Sequence, residues 1–363
     1  AEGEKLGPIV GLNFTADDGG LADERAYTDA ITARYGPGIV RVPMQPNGFL
    51  DSLPATMRAS EVPFATPSGN LFQRQYEVAR DHDAATFVSG FWGDEAFNPF
   101  NYLYHLLWSL RLPSFVRVAR EHHRWITESP ATSAQTLAGV VRGTIRDFTP
   151  RWLRSMRLEG RATNAHLLAC GRLGRALAQA SHPPLAWRPG TRFAQWQRDL
   201  LDRPRTRYFL SAAAGEAGAF GLRSMHPFLD PGVVQFVLRC SGKQLNPGGR
   251  YKGLMRDALR SEVPALVLER RTKGDFTQAY GPGVARDSVD WLAGNGQDVL
   301  QRHGYLNEDG ARKLSRALAL NADSVDQHSN IDWQSLDTIG LASWLDTFID
   351  RGVRHESERI ECG

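Results

Sequence analysis

Cysteine is scarce in this chain. Only three occur in 363 residues, Cys170, Cys240 and Cys362, and no two form a Cys-x-x-Cys pair. So sparse and odd a set excludes a disulfide frame and a cysteine zinc site, and it reads as reduced thiols in a cytoplasmic protein. Long apolar runs are missing as well. None approaches the ~20 residues that span a bilayer, and the polar opening Ala1-Glu2-Gly3-Glu4-Lys5 carries no signal-peptide pattern. Neither sign of charge dominates: 43 Lys and Arg stand against 40 Asp and Glu, a net +3. The arginines are scattered, which removes the argument for a nucleic-acid partner. The ten histidines show no His-Glu-x-x-His spacing. His122 and His123 are adjacent and so do not share a helix face, and no histidine metal site is expected. Walker A and Gly-x-Gly-x-x-Gly loops are absent too.

What is present is an ordinary globular composition, 42% hydrophobic and 23% charged. The length exceeds what one compact core usually holds. "PIVGLNF", Pro8 to Phe14, reads as a buried strand, and Asp17-Asp18-Gly19-Gly20 is turn chemistry. "DERAYTDAITARYG" places Ala26, Tyr27, Ala30 and Ile31 on one side and ends at Gly36, which predicts a helix. "GIVRVPM", Gly38 to Met44, is a second strand. A polar loop is expected next, then a helix over "NLFQRQYEVARDHD" with Leu71, Phe72, Tyr76 and Ala79 inward. Ala84 to Val88 is a third strand. This alternation predicts an α/β fold with a parallel sheet covered by helices. From about Asn101 to Leu320 the pattern is mostly helical, including "SAQTLAGVVRGTIRDF", "NAHLLACGRLGRALAQA" and "VVQFVLRCSG". "DWQSLDTIGLASWLDTFID" is a further helix, and "RHESERIECG" reads as a frayed tail.

In a parallel sheet, ligands sit beyond the carboxyl ends of the strands. At such an end stands "VSGFWGDEAF", Val88 to Phe97. Asp94, in a turn opened by Ser-Gly and a further Gly, suits a magnesium-bound polyphosphate, because magnesium takes one or two carboxylates plus phosphate oxygens. The following helix N-terminus favours anions. The plainer alternative is that Asp94 caps that helix and Glu95 favours its first turn.

A second stretch, His226 to Phe276, has an ordered set of features. His-Pro-Phe-Leu-Asp precedes an apolar helix. Gly-Gly-x-x-Lys follows, then "GLMRDALR", a Pro-containing break and Arg-Arg-Thr-Lys-Gly-Asp-Phe. Together with Ser-Gly-x-x-Gly-Asp-Glu upstream, this resembles the synthetase domain of asparagine synthetase-like enzymes, from about Pro8 to about Phe276. The resemblance implies a synthetase domain at 1–300, with an adenine nucleotide α-hydrolase-like core sheet at about 8–115 and a large, mostly helical extension at about 116–300; the helical pattern of 301–363 reads as a separate C-terminal tail. The resemblance implies ATP and Mg2+ as cofactors and an acyl-adenylate that an amine attacks to form an amide. Asp94 matches the family's magnesium-binding aspartate, and Ser89 and Gly90 its nucleotide-contacting pair. Lys273 matches a lysine that stabilises charge on the phosphates and at the acyl centre, where a fixed cation is worth several kcal/mol. A solvated basic loop beside Arg270 and Arg271 is the alternative for Lys273. Lys252 and Asn70 also stand at family positions. Lys252 could equally hold the start of a helix, and Ser68 or Asn70 could serve as an N-cap. His226 and Asp230 are expected to fix the turn and cap the next helix.

Among such enzymes the chain looks most like the lasso peptide cyclases, which join an Asp or Glu side chain of a ribosomal core peptide to that peptide's own N-terminal amine. That likeness implies a leader-peptide-binding protein and a leader peptidase as partners. Asparagine and β-lactam-forming synthetases, acting on small acids, are the alternative, and a non-catalytic peptide-binding module is another. Phe91 follows Ser89-Gly90 where those small-molecule enzymes carry glutamate or tyrosine. The base that deprotonates the amine is therefore unassigned, with Glu95 as a stand-in. Met225 stands at a family arginine position, with Arg223 nearby. Trp92, Phe97, Phe100, Tyr102, Tyr104 and Trp108 could line a peptide cavity, or be plain core. The family's Ser-Gly-Gly-x-Asp-Ser pyrophosphate loop and N-terminal glutaminase-like domain do not occur in these 363 residues. The loop is expected upstream of Ala1 or on another chain.

Overall fold

A computed structural model describes residues 9–15, 23–36, 38–44, 49–63, 69–126, 192–271, 291, 296–312 and 333–350. The first strand, β1 (Val10–Thr15), pairs in parallel with β2 (Gly38–Pro43), and α1 (Arg25–Tyr35) connects them. Helix α1 stops as its sequence predicts. Gly36 adopts a left-handed conformation (φ 72°), and its N–H donates to the Thr32 carbonyl.

The expected polar loop after β2 is largely a helix, α2 (Phe49–Ser60). Pro54 lies inside it and removes one backbone donor. Burial outweighs that loss: Leu53 and Met57 join Val299, Leu300, Leu306, Ile339, Ala342 and Leu345 in one apolar cluster. The partners lie between residues 299 and 345, some 240 residues or more further along the chain, so no local pattern announces them. Helix α3 (Gly69–Asp81) follows, with Leu71, Tyr76 and Ala79 buried as read and Phe72 packed against the same core. Asn70 sits in its first turn and is not its N-cap.

Strand β3 is short, Thr86–Val88. After it come α4 (Gly93–Ala96), α5 (Pro99–Trp108) and α6 (Leu112–Ile126). Helices α7 (Phe193–Leu201) and α8 (Pro204–Ala219) lead to a strand that was not anticipated, β4 (Arg223–Met225). It pairs in parallel with β3. Three residues are too few to show a period, which is why this segment reads as part of a helical region. The described strands thus form two two-stranded parallel sheets rather than one visible sheet.

Beyond β4, Pro227–Leu229 makes a 3-10 turn and α9 (Pro231–Arg239) begins. Asp230 caps α9, accepting from the N–H groups of Gly232 and Val233, as the sequence suggests. A capping box of Ser241 and Gln244 starts α10 (Gly242–Leu245). Helices α11 (Gly253–Ala258), α12 (Ala265–Leu268), α13 (Gln297–Arg302) and α14 (Trp333–Leu345) follow, and α14 runs into a π-helical turn, Asp346–Asp350. The two amphipathic stretches between 133 and 180 and the tail after 350 lie outside the described residues, as do Cys170 and Cys362. Among the described residues no helix is long and apolar enough to cross a membrane.

Helix α8 carries "SAAAGEAGA" and crosses α2 so closely that a Cβ on Gly215 would lie 2.2 Å from the Ala59 carbonyl oxygen. Gly215→Ala is therefore expected to destabilise the fold by about 2–3 kcal/mol. Gly218→Ala, with nothing within 4 Å, is expected to gain roughly 0.5–1 kcal/mol from helix propensity. Urea unfolding compares the two, and coincident midpoints would refute the close crossing.

Candidate active site

The turn after β3 is assembled by backbone bonds and one imidazole. The Ser89 N–H donates to the Met225 carbonyl at 3.0 Å, extending the β3–β4 pairing. The Ser89 hydroxyl lies 2.8 Å from Nδ1 of His226, and the Ser224 hydroxyl lies 3.0 Å from its Nε2. One ring thus ties the ends of both strands together, the turn-fixing role expected for it. Burial pushes His226 below the ordinary imidazole value, so at pH 7 it is neutral, with one nitrogen donating and the other accepting.

The chain then turns tightly. The Phe91 N–H donates to Ser89 Oγ at 3.3 Å, and the Gly93 N–H to the Gly90 carbonyl at 3.1 Å. Trp92 holds a left-handed conformation (φ 69°) with its ring buried in the cluster around Phe97, Phe193 and Trp196. Gly93 is required by packing: a Cβ there would lie 2.9 Å from the Phe228 ring. Gly90 is exposed and less constrained, with Phe228 no nearer than 4.0 Å from such a Cβ.

Asp94 opens the first turn of α4. Its carboxylate is 2.8 Å from Lys252 Nζ, and both side chains are about one-third exposed. The Tyr251 hydroxyl also bonds this carboxylate. Burial, and then the charges of Asp94 and Glu95, push the Tyr251 phenol well above its usual range, so it remains a donor. Lys252 reaches Asp94 from a left-handed residue (φ 54°) whose N–H donates to the Phe97 carbonyl at 3.2 Å. That residue follows a Pro-Gly-Gly turn anchored on α6. His122, fully buried, donates from Nδ1 to the Gly249 carbonyl at 2.6 Å. A Cβ on Gly249 would lie 2.4 Å from the backbone nitrogen of His122. The glycine before "RYK" is thus a packing requirement that places the lysine.

Two predicted residues, Asp94 and Lys252, therefore meet, and Ser89 and Gly90 lie on the same turn. Glu95 is exposed, and its backbone carbonyl accepts from Asn101 at 2.8 Å. The Asn70 side chain and the whole of Lys273 lie outside the described residues. Arg270, three residues before Lys273, is not a solvated charge. It pairs with Glu24 at 2.6 Å and lies over the Tyr27 ring at 4.2 Å. The proposed aromatic cavity wall is core instead. Trp92 and Phe97 are buried, and Tyr102, Tyr104 and Trp108 pack against the same cluster. The Phe100 side chain is outside the described residues.

A small pocket of about 20 Å3, open to solvent, does adjoin Ser89. Phe72, Tyr76, Phe87 and Phe209 line it, together with Ser224 and His226. Glu216, on α8, also lines it, and sequence reading missed this residue. Its side chain is 4% exposed and makes no hydrogen bond or ion pair with another described residue. Burial alone pushes its carboxyl up to about 7. The available signal was a lone acid in a run of Ala and Gly, a place where a solvated helix face is the usual reading.

Magnesium fits the Asp94 site by donor chemistry. It needs one or two hard carboxylate oxygens and completes its shell with water and phosphate. Asp94, with Glu95 beside it, would supply the former, and Lys252 holds the Asp94 carboxylate in an ion pair. Among the described residues no cluster of three His, Cys, Asp or Glu forms an all-protein cage.

The Glu216 shift makes a stability prediction. The folded chain holds this proton up to about pH 7, whereas an ordinary carboxyl loses it near 4.5. The group thus favours folding at low pH, and that preference is lost as pH rises from 4.5 to 7. The loss is on the order of 3 kcal/mol. Urea unfolding at pH 5 and pH 8 should show this decline in wild type and a smaller one in Glu216→Gln. Equal declines would show that Glu216 is not the buried acid described.

Comparison with curated proteins and with solved structures returned no match. The asparagine synthase family model, by contrast, matches residues 12–346 and so covers most of β1, both candidate-site turns and α14. The chain belongs to the asparagine synthase family, whose members are ATP-dependent amide-forming synthetases.

Proposed function

We propose that this family member is an ATP- and Mg2+-dependent peptide macrolactam cyclase of the lasso peptide kind. Its substrate is a ribosomal core peptide. The side-chain carboxylate of an Asp or Glu is converted to an acyl-adenylate with release of pyrophosphate. The peptide's N-terminal amine then attacks the acyl carbon, AMP leaves, and an isopeptide ring closes. A disordered peptide must be held so that amine and acyl carbon meet, which offsets the entropy lost on ordering it.

The observation that carries this reading is Phe91. Family enzymes that act on small acids place glutamate or tyrosine there. Here the ring stacks on Phe209 at 4.1 Å and 15° and meets His226 edge-on at 5.6 Å. An apolar ring suits a bulky substrate and cannot handle a proton. In this assignment Ser89 and Gly90 contact the nucleotide, as does Asn70. Asp94 holds the ion, whose charge would offset that of the phosphates. Lys252 and Lys273 face phosphate oxygens and the developing charge at the acyl centre. The resemblance adds a leader-peptide-binding protein and a leader peptidase as partners, in the cytoplasm.

Purified protein, core peptide and Mg-ATP should yield AMP, pyrophosphate and a product lighter by one water. Asp94→Ala and Lys273→Ala should each slow product formation by about a hundredfold or more. Unchanged rates would refute the site assignment. Pyrophosphate release with free aspartate and ammonia, but with no peptide, would make the protein a small-molecule synthetase. Absence of heat on Mg-ATP titration would make it a peptide-binding module.

A further inference from the structure

We propose that the pocket beside Ser89 receives a primary ammonium group, with Glu216 as its counter-ion and proton acceptor. The class of ligand rests on the pocket. Its identity as the peptide's N-terminal amine rests on the cyclase reading above.

A buried, unpartnered carboxyl is costly to keep. Here it is aimed into a pocket rather than sealed in the core. The titratable groups that face it are few. Tyr76 on α3 is the one whose ionisation it perturbs, and burial pushes that phenol well up. His226, after β4, is neutral near pH 7. Among the described residues no lysine or arginine lines the pocket. The crossing helix α2 presents Ala59 backbone to α8, and its charged Asp51 and Arg58 are exposed.

The lining suits a small organic cation. Aromatic faces from Phe72, Tyr76, Phe87 and Phe209 attract positive charge. An ammonium carries three N–H donors. One would meet the Glu216 carboxylate, and the hydroxyl oxygens of Ser89 and Ser224 can accept the others. An anion would meet the same carboxylate and be repelled. Ser89 belongs to this pocket and also to the turn that carries Asp94. An amine held here thus lies beside the nucleotide turn.

Proton balance assigns the carboxylate its step. The ammonium gives one proton to Glu216, leaving a neutral amine. Its nitrogen lone pair attacks the acyl carbon of the adenylate. The bond from that carbon to the phosphate oxygen breaks, its electron pair leaves with AMP, and the second nitrogen proton passes to solvent. A carboxyl that titrates near neutrality is matched to this exchange.

The test is calorimetric titration of the full chain with glycinamide, without nucleotide, at pH 7.5. Wild type should bind it saturably, and the uncharged N-acetylglycinamide should not bind. Glu216→Gln should weaken binding about tenfold or more. Ala213→Leu, which fills the pocket and keeps the carboxyl, should weaken it too. At pH 5.5 wild-type binding should fall by a similar factor, while the residual binding of Glu216→Gln should not change. No glycinamide binding, equal binding of the capped probe, or indifference to both substitutions would overturn the proposal. Because nucleotide is left out, the outcomes separate. Glycinamide binding without adenylation would retain the pocket and sink the cyclase reading. Pyrophosphate release without glycinamide binding would do the reverse.

Discussion

The pairing of β3 with β4 is the constraint on which the candidate site depends. Ser89 and His226 are 137 residues apart in sequence, yet hydroxyl and imidazole meet at 2.8 Å. Two three-residue strands cannot hold each other by their ladder alone. What holds them is the packing beneath: Tyr76, Ala79, Ala217 and Leu222 bury together, with Phe87 and Phe220 against them. The imidazole then locks the register at the open end. Without it the Ser89–Asp94 turn and the Pro-Phe-Leu turn would not stand side by side, and Phe228 would not reach Gly93.

The two acids of the region differ through their surroundings alone. Asp94 is partly exposed, ion-paired with Lys252 and bonded by Tyr251. A carboxylate so placed offers hard oxygens of the kind a divalent cation takes. Glu216 is buried beside a mostly apolar pocket with no ion-pair partner among the described residues, so its charged form is disfavoured. One carboxylate suits fixed charge, and the other suits proton exchange.

Much of the first hundred residues was legible. Strands β1 and β2 and helices α1 and α3 follow from short apolar runs, inward spacing and Gly36. Helix α2 was not, because Pro54 and the flanking turn residues outvote a face whose partners lie in α13 and α14. Strand β4 was hidden by its length. The aromatic stripe from Trp92 to Trp108 reads from sequence as either cavity wall or core, since its period is that of any buried helix face, and Trp92, Phe97, Tyr102, Tyr104 and Trp108 are core.

The motif order alone identified the Ser-Gly-Phe-Trp-Gly-Asp-Glu turn, the Pro-Phe-Leu-Asp cap and the family, because those features are local or depend on spacing along the chain. Tertiary structure alone decided that Lys252 meets Asp94 and that Gly249 is needed against His122. It also decided that Glu216 is a buried acid in a pocket rather than a solvated residue on a helix. The physical reason is shared. Ion pairing, glycine packing and carboxyl desolvation are set by which distant atoms come within a few ångströms, and a single sequence does not record that.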